Sequence, residues 1–106
     1  MMRVASATSR TTAHTSERQV EQYLCKRIAD IKGVSYKWSS PAHAGVPDRI
    51  CVLPGGRVYF IEVKKDGGRL SRLQQFVGDK LTSLGCQSYT VYGITGVDKF
   101  IASISK

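Results

Sequence analysis

The chain has 106 residues, enough for one domain and one core, and it contains no apolar run near the roughly 20 residues that a membrane-spanning helix requires. Lysine and arginine number 16 against 8 aspartates and glutamates, a net charge of +8 that attracts polyanions, with nucleic acid the leading class. On charge alone an uninvolved basic surface is the competing reading, because net charge governs non-specific association and not fold.

Residues 1–16, MMRVASATSRTTAHTS, are rich in Ser, Thr and Ala and carry no acid. They offer no core material and are expected to form a flexible tail, leaving residues 17–106 as the folded domain. The apolar segment of a secretory signal is missing. Ser16 with Gln19 three positions on is a capping-box pattern, and Val20, Leu24, Ile28 and Ile31 then recur at helical spacing until Gly33. This predicts a helix from Glu17 to Lys32. At about 100° per residue Glu17 falls inside the apolar stripe beside Leu24 and Glu21 at its edge, so Glu17 is expected to face inward. Cys25, Cys51 and Cys86 are far apart and form no C-x-x-C pair. Buried reduced thiols in a cytosolic compartment are expected.

Val34 to Trp38 reads as a short extended piece, with Tyr36 and Trp38 as core residues, and SSPAHAGVPD as a loop. RICVL and VYFIEVK follow, separated by Pro54-Gly55-Gly56, which is turn chemistry for a hairpin. After Asp66-Gly67-Gly68 a second helix is expected, with Ser71 as N-cap, Gln74 at N3, an apolar stripe of Leu73, Phe76, Val77, Leu81 and Leu84, and Gly85 as the stop. Gln87 to Tyr92 has the content of another strand, and Val97 to Ile104 that of a closing amphipathic helix. The fold class is α/β, a mixed central sheet flanked by helices in α-β-β-β-α-β-α order.

The stretch GVPDRICVLPGGRVYFIEVKK, residues 45–65, carries the chemistry. Alternation along the strand puts Glu62 and Lys64 on one face, roughly 7 Å apart, with Val63 pointing the other way. A hairpin brings Asp48, at the entrance of the partner strand, near Glu62, and two carboxylates there repel unless a cation lies between them. Hard divalent cations take oxygen ligands, keep several waters and are commonly held by one or two carboxylates. Asp48 and Glu62, with the backbone carbonyl of Val63, form such a half-shell, and Lys64 beside it can hold an attacking water and offset developing negative charge. The plainer readings are a turn residue for Asp48 and an exposed ion pair for Glu62 and Lys64. Arg49, Lys65, Arg69 and Arg72 surround the proposed site and would meet phosphates, against the alternative of a solvated basic rim. His43, in the loop ahead of Asp48, is placed to touch DNA or carry a proton, or is simply a surface histidine.

Pro47-Asp48, followed across a hairpin by Glu62-Val63-Lys64, resembles the PD-(D/E)xK nuclease superfamily, with its restriction-endonuclease-like core. More narrowly, GVPDR, the EVK triplet and GGRLSRLQ are similar to the VRR-NUC (virus-type replication-repair nuclease) family, in particular its small stand-alone members of phage and prophage type. The likeness runs from about Glu17 to the C-terminus. It implies metal-dependent phosphodiester hydrolysis in which Asp48 and Glu62 hold Mg²⁺ or Mn²⁺ and Lys64 is the catalytic lysine. It further implies Glu17 as the first-helix acid and a third metal ligand, with Glu21 as the alternative, and Gln74 as a site glutamine. Gln74 has a rival explanation, since with Ser71 it completes a capping box. By the same resemblance the partner is DNA, branched DNA such as a four-way junction first, the chain acts as a homodimer, and it works in the cytoplasm of a bacterial host. A non-catalytic module that binds nucleic acid through counterion release is the competing function.

Overall fold

Helix α1, Glu17–Asp30, starts as its sequence predicts: Ser16 Oγ accepts from the Gln19 N–H at 3.1 Å, and Gln19 Oε1 accepts from the Ser16 N–H at 2.8 Å. Two of the orphan donors of the first turn are thereby satisfied. The computed structural model describes residues 15–105, so most of the expected tail, residues 1–14, lies outside the described residues. The helix ends two residues earlier than predicted, where Lys32 takes a left-handed conformation, φ 70°. Val20, Leu24 and Ile28 are fully buried along one stripe.

The chain then forms β1, Val34–Lys37, and after the loop β2, Arg49–Leu53, and β3, Arg57–Lys64. Between β2 and β3 the Gly56 N–H donates to Leu53 O at 3.1 Å, with Pro54 second and Gly55 third in the turn. Gly55 adopts φ 87°, which only glycine takes at little cost. Helix α2, Arg72–Ser83, crosses over to β4, Gln87–Tyr92, and α3, Gly93–Ile104, closes the chain. The strands lie in the order β1-β2-β3-β4, the first two pairings antiparallel and the last parallel. The expected mixed sheet and element order are therefore present. Among the described residues no helix is long and apolar enough to cross a membrane.

One sheet face carries the core. Cys51, Leu53, Tyr59, Ile61, Val63 and Val91 meet Val20, Leu24 and Ile28 of α1 and Val97, Phe100, Ile101 and Ile104 of α3. The opposite face, occupied by α2, is far less closed. No residue of α2 is buried, and Phe76 and Leu84 are 66% and 69% exposed, so the predicted apolar stripe exists but stays largely uncovered. Three further expectations need correction. Helix α3 begins at Gly93 and not at Val97, with Gly96 carried inside a helix whose buried residues include Gly93 and Val97. Tyr36 is exposed, since β1 is an edge strand whose outer half meets solvent, whereas Trp38 is half-buried against Phe60 with ring centroids 5.4 Å apart. All three cysteines are free, but only Cys51 is buried, where desolvation pushes its thiol up to about 11; Cys25 and Cys86 are half-buried.

Candidate active site

The register of the hairpin decides where the acids go. Arg49 pairs with Ile61, so one step outward Asp48 stands opposite Glu62, and residues directly opposite in an antiparallel pair share a face. The Trp38 N–H donates to Asp48 O at 2.9 Å, carrying the β1–β2 pairing to this residue. Asp48 Oδ2 accepts from the Val63 N–H at 2.9 Å, which ties the carboxylate to β3 next to Glu62.

Loop geometry delivers Asp48 to this place. Gly45 adopts φ 89° and lies so close to α2 that a β-carbon would stand 2.7 Å from the Leu73 side chain and 3.0 Å from its carbonyl oxygen. Both the backbone angle and the contact require glycine there. Pro47 is buried, and Gly45, Pro47, Glu62, Gln74 and Thr90 line a cleft of about 90 Å³ between α2 and the sheet. A wider opening of about 560 Å³, between β4 and α3, contains none of the predicted site residues.

Glu62 is 6% exposed and is the sole buried charged residue among those described. Gln74 Nε2 donates to Glu62 Oε2 at 2.9 Å, and Lys64 Nζ lies 3.7 Å from the same oxygen. Glu62 Oε1 is buried and has no hydrogen-bond partner among the described residues. Burial pushes the Glu62 carboxyl up to about 7; repulsion from Asp48 and Glu17 adds to the rise, and Lys64 opposes it.

Gln74 makes the contacts of both readings, the capping box with Ser71 and a hydrogen bond to Glu62. Its Oε1 accepts from the Ser71 N–H at 2.8 Å and its N–H donates to Ser71 Oγ at 3.0 Å, while Nε2 reaches Glu62. A backbone N–H can only donate, so it takes the amide oxygen and turns the NH₂ toward the carboxylate. The capping box orients the site glutamine.

The first-helix acids separate. Glu21 Oε2 accepts from Arg49 Nε at 2.8 Å and from Lys37 Nζ at 3.0 Å. Glu17 is exposed, contrary to the expectation that it faces inward, and the buried stripe of α1 starts only at Val20; its charge nevertheless acts on Glu62. No three of the described His, Cys, Asp and Glu residues converge as a metal cluster, so the carboxylates that meet are the pair Asp48 and Glu62. Oε1 of Glu62 is left without a hydrogen-bond partner among the described residues while Lys64 and Gln74 reach Oε2, and a hard divalent cation held by two carboxylates and waters fits that donor set.

Of the predicted basic contacts, Arg49 is half-buried against Glu21, and Lys65, Arg69 and Arg72 are exposed. His43 is exposed and lines a separate groove of about 320 Å³ with Trp38, Val46, Phe76 and Lys80, to which none of the acids contributes. Sequence reasoning gives no place to Lys37, and no local signal marks it, since its position opposite Arg49 and against Glu21 follows from the strand register.

Comparison with known proteins agrees with this geometry. A curated relative named "Putative nuclease p44", from Acyrthosiphon pisum secondary endosymbiont phage 1, is 37% identical over 71 residues, covering 67% of this chain and 76% of the relative. A solved structure described as a VRR_NUC domain superposes with TM-score 0.79 at 27% identity, covering 85% of this chain and 98% of that one. A second, a VRR_NUC domain protein, shares the fold with TM-score 0.64 at 19% identity over 83% of this chain and 86% of that one. The sequence model of the VRR-NUC domain matches residues 4–94, from ahead of α1 to the start of α3. With a family match over most of its length and the acids and lysine gathered on one face, the chain belongs to the VRR-NUC family.

Proposed function

We propose that this VRR-NUC nuclease is an endonuclease that hydrolyses DNA phosphodiester bonds with Mg²⁺ or Mn²⁺, acting on branched DNA such as four-way junctions. The observation that carries the reading is the buried Oε1 of Glu62, without a hydrogen-bond partner among the described residues, beside Asp48, while Lys64 and Gln74 both reach only the other oxygen, Oε2. Asp48 and Glu62 would hold the ion, with the Val63 carbonyl as a neighbouring oxygen and Glu17 adding charge from α1. When bound, such an ion supplies Lewis acidity, polarising the phosphoryl group and making water a better nucleophile at neutral pH.

The chain's own groups do the positioning. Lys64, with its ammonium 3.7 Å from Glu62 Oε2, orients the attacking water and offsets charge on the phosphoryl oxygens during in-line displacement. Gln74 keeps Glu62 in place through Nε2. Arg49, Lys65, Arg69 and Arg72 meet backbone phosphates, and His43 touches DNA from the loop outside the reacting centre. Water enters opposite the 3′ oxygen and gives up a proton to solvent as its bond to phosphorus forms, and the 3′ oxygen leaves and takes a proton from solvent, so the product carries a 5′ phosphate.

One site cuts one strand. Symmetric cutting of a junction needs two, and a homodimer supplies them; the open face of α2, with Leu73, Phe76 and Leu84 exposed, offers apolar surface for a second copy. Free thiols accord with action in the cytoplasm of a bacterial host. The test is to mix the purified chain with labelled duplex, flap and four-way-junction DNA in Mg²⁺, Mn²⁺ or EDTA. Metal-dependent nicking supports the enzyme. Salt-sensitive retention with no cleavage under any metal would replace it with a non-catalytic binding module.

A further inference from the structure

Lys37 and Arg49 stand directly opposite each other in the β1–β2 pairing. Two like charges at such a position repel and would splay apart. Instead both converge on one atom, Glu21 Oε2, at 3.0 and 2.8 Å. Glu21 and Arg49 are mostly covered, their side chains 18% and 20% exposed, while Lys37 is 57% exposed. Arg49 is held through Nε alone, which leaves its two terminal amino groups without a hydrogen-bond partner among the described residues. With Arg18 and Gln22 of α1 these three residues line an opening of about 300 Å³ that carries three cations against one carboxylate.

Consecutive side chains point to opposite faces of a strand, so Asp48 meets Glu62 on the α2 side and Arg49 meets Glu21 on the α1 side. A DNA strand drawn over this end of the sheet would meet the acids with one phosphate and the cations with a neighbouring one. We infer that Glu21 is a positioning residue that draws Lys37 and Arg49 together into a clamp for a backbone phosphate flanking the scissile one. This rests on the proposed DNA substrate. A planar guanidinium anchored at Nε presents its remaining N–H groups as a fork suited to two phosphate oxygens, and the ammonium adds a point charge beside it.

The sign of one substitution separates the clamp from general electrostatics. Glu21→Gln removes a negative charge from a basic surface, so a field effect alone tightens DNA binding. A clamp loses its organiser and binds more weakly. Affinity of the full chain for labelled duplex and four-way-junction DNA is measured by anisotropy in EDTA over a series of KCl concentrations, with thermal melts as the folding control. Glu21→Gln is expected to weaken binding roughly three- to tenfold and to reduce the salt slope by up to about one phosphate contact. In an Arg49→Ala background the same change should cost less than in the wild type, since only Lys37 is left for Glu21 to place, and an undiminished cost there overturns the clamp. If Glu21→Gln does not fold, Arg49→Lys serves, since it keeps the charge but loses the fork, and the same three- to tenfold loss is expected. Wild-type or tighter binding in the folded Glu21→Gln chain, or full affinity in Arg49→Lys, overturns the clamp while leaving the nuclease reading intact. Absence of any DNA binding by the wild type overturns both.

Discussion

Glu62→Gln should make the metal-free protein more stable while abolishing cleavage. The Glu62 carboxyl, ordinarily near 4.5, is lifted to about 7 by burial first, then by Asp48 and Glu17. Below about pH 4.5 folded and unfolded chains both carry the proton. Between there and about 7 the unfolded chain gives it up and the folded chain keeps it, so the stability associated with the neutral carboxyl is present at low pH and lost as pH rises through about 7. At about 1.4 kcal/mol per pH unit, ionised Glu62 costs the fold about 3 kcal/mol. Glutamine has the same shape, keeps an acceptor for Gln74 Nε2 and never ionises, while its NH₂, standing at the position of the partnerless Oε1, gives back about 1 kcal/mol of that gain. Thermal melts in EDTA should therefore place the variant roughly 10 °C above wild type near pH 8, with the gap closing toward acid pH. Mg²⁺ should raise the wild-type melting temperature near pH 8 and leave the variant's unchanged. A variant that melts at or below wild type in EDTA near pH 8, or a gap that ignores pH, would refute the reasoning.

Lys64→Ala is expected to lose cleavage by at least a hundredfold, in line with removal of a transition-state charge partner, yet to bind junction DNA nearly as wild type does, because one of 16 basic residues contributes little to the field. Parallel cleavage and anisotropy measurements check this, and an active variant removes Lys64 from the mechanism. Ser71→Ala should cost about 1 kcal/mol of stability as a lost helix cap, and lower cleavage further than that loss explains, since Gln74 is no longer oriented toward Glu62; a denaturant melt beside a rate measurement tells the two apart. Gly45→Ala meets both a left-handed backbone and the Leu73 carbonyl, so a destabilisation of about 1–2 kcal/mol or more and reduced cleavage are expected, read by the same two assays.

Much of the architecture was legible because its signals are local. Both capping boxes, Ser16 with Gln19 and Ser71 with Gln74, form as their four-residue patterns require, and the Pro54-Gly55-Gly56 turn joins the strands that alternation marks. The pairing of Asp48 with Glu62 could be anticipated for the same reason, since a short hairpin leaves few registers open. The helix dockings were not legible. Whether the stripe of α2 is covered depends on what else packs on that face, and the apolar period that announces Phe76 is the same whether it ends 66% exposed or buried.

Glu17 and Glu21 show where the boundary lies. Four residues apart on one helix, they differ little on a wheel, and the wheel favours Glu17 as the inward-facing acid. Tertiary structure reverses their burial, leaving Glu17 open to solvent with its charge on Glu62, and covering Glu21 under Lys37 and Arg49, residues 16 and 28 positions away. Hydrogen bonds within one turn and side-chain alternation within one strand are properties of a few consecutive residues, so the chain's own order settles them. Electrostatic partners are a property of distance in space, and that is set only when strands choose their register and helices their place on the sheet.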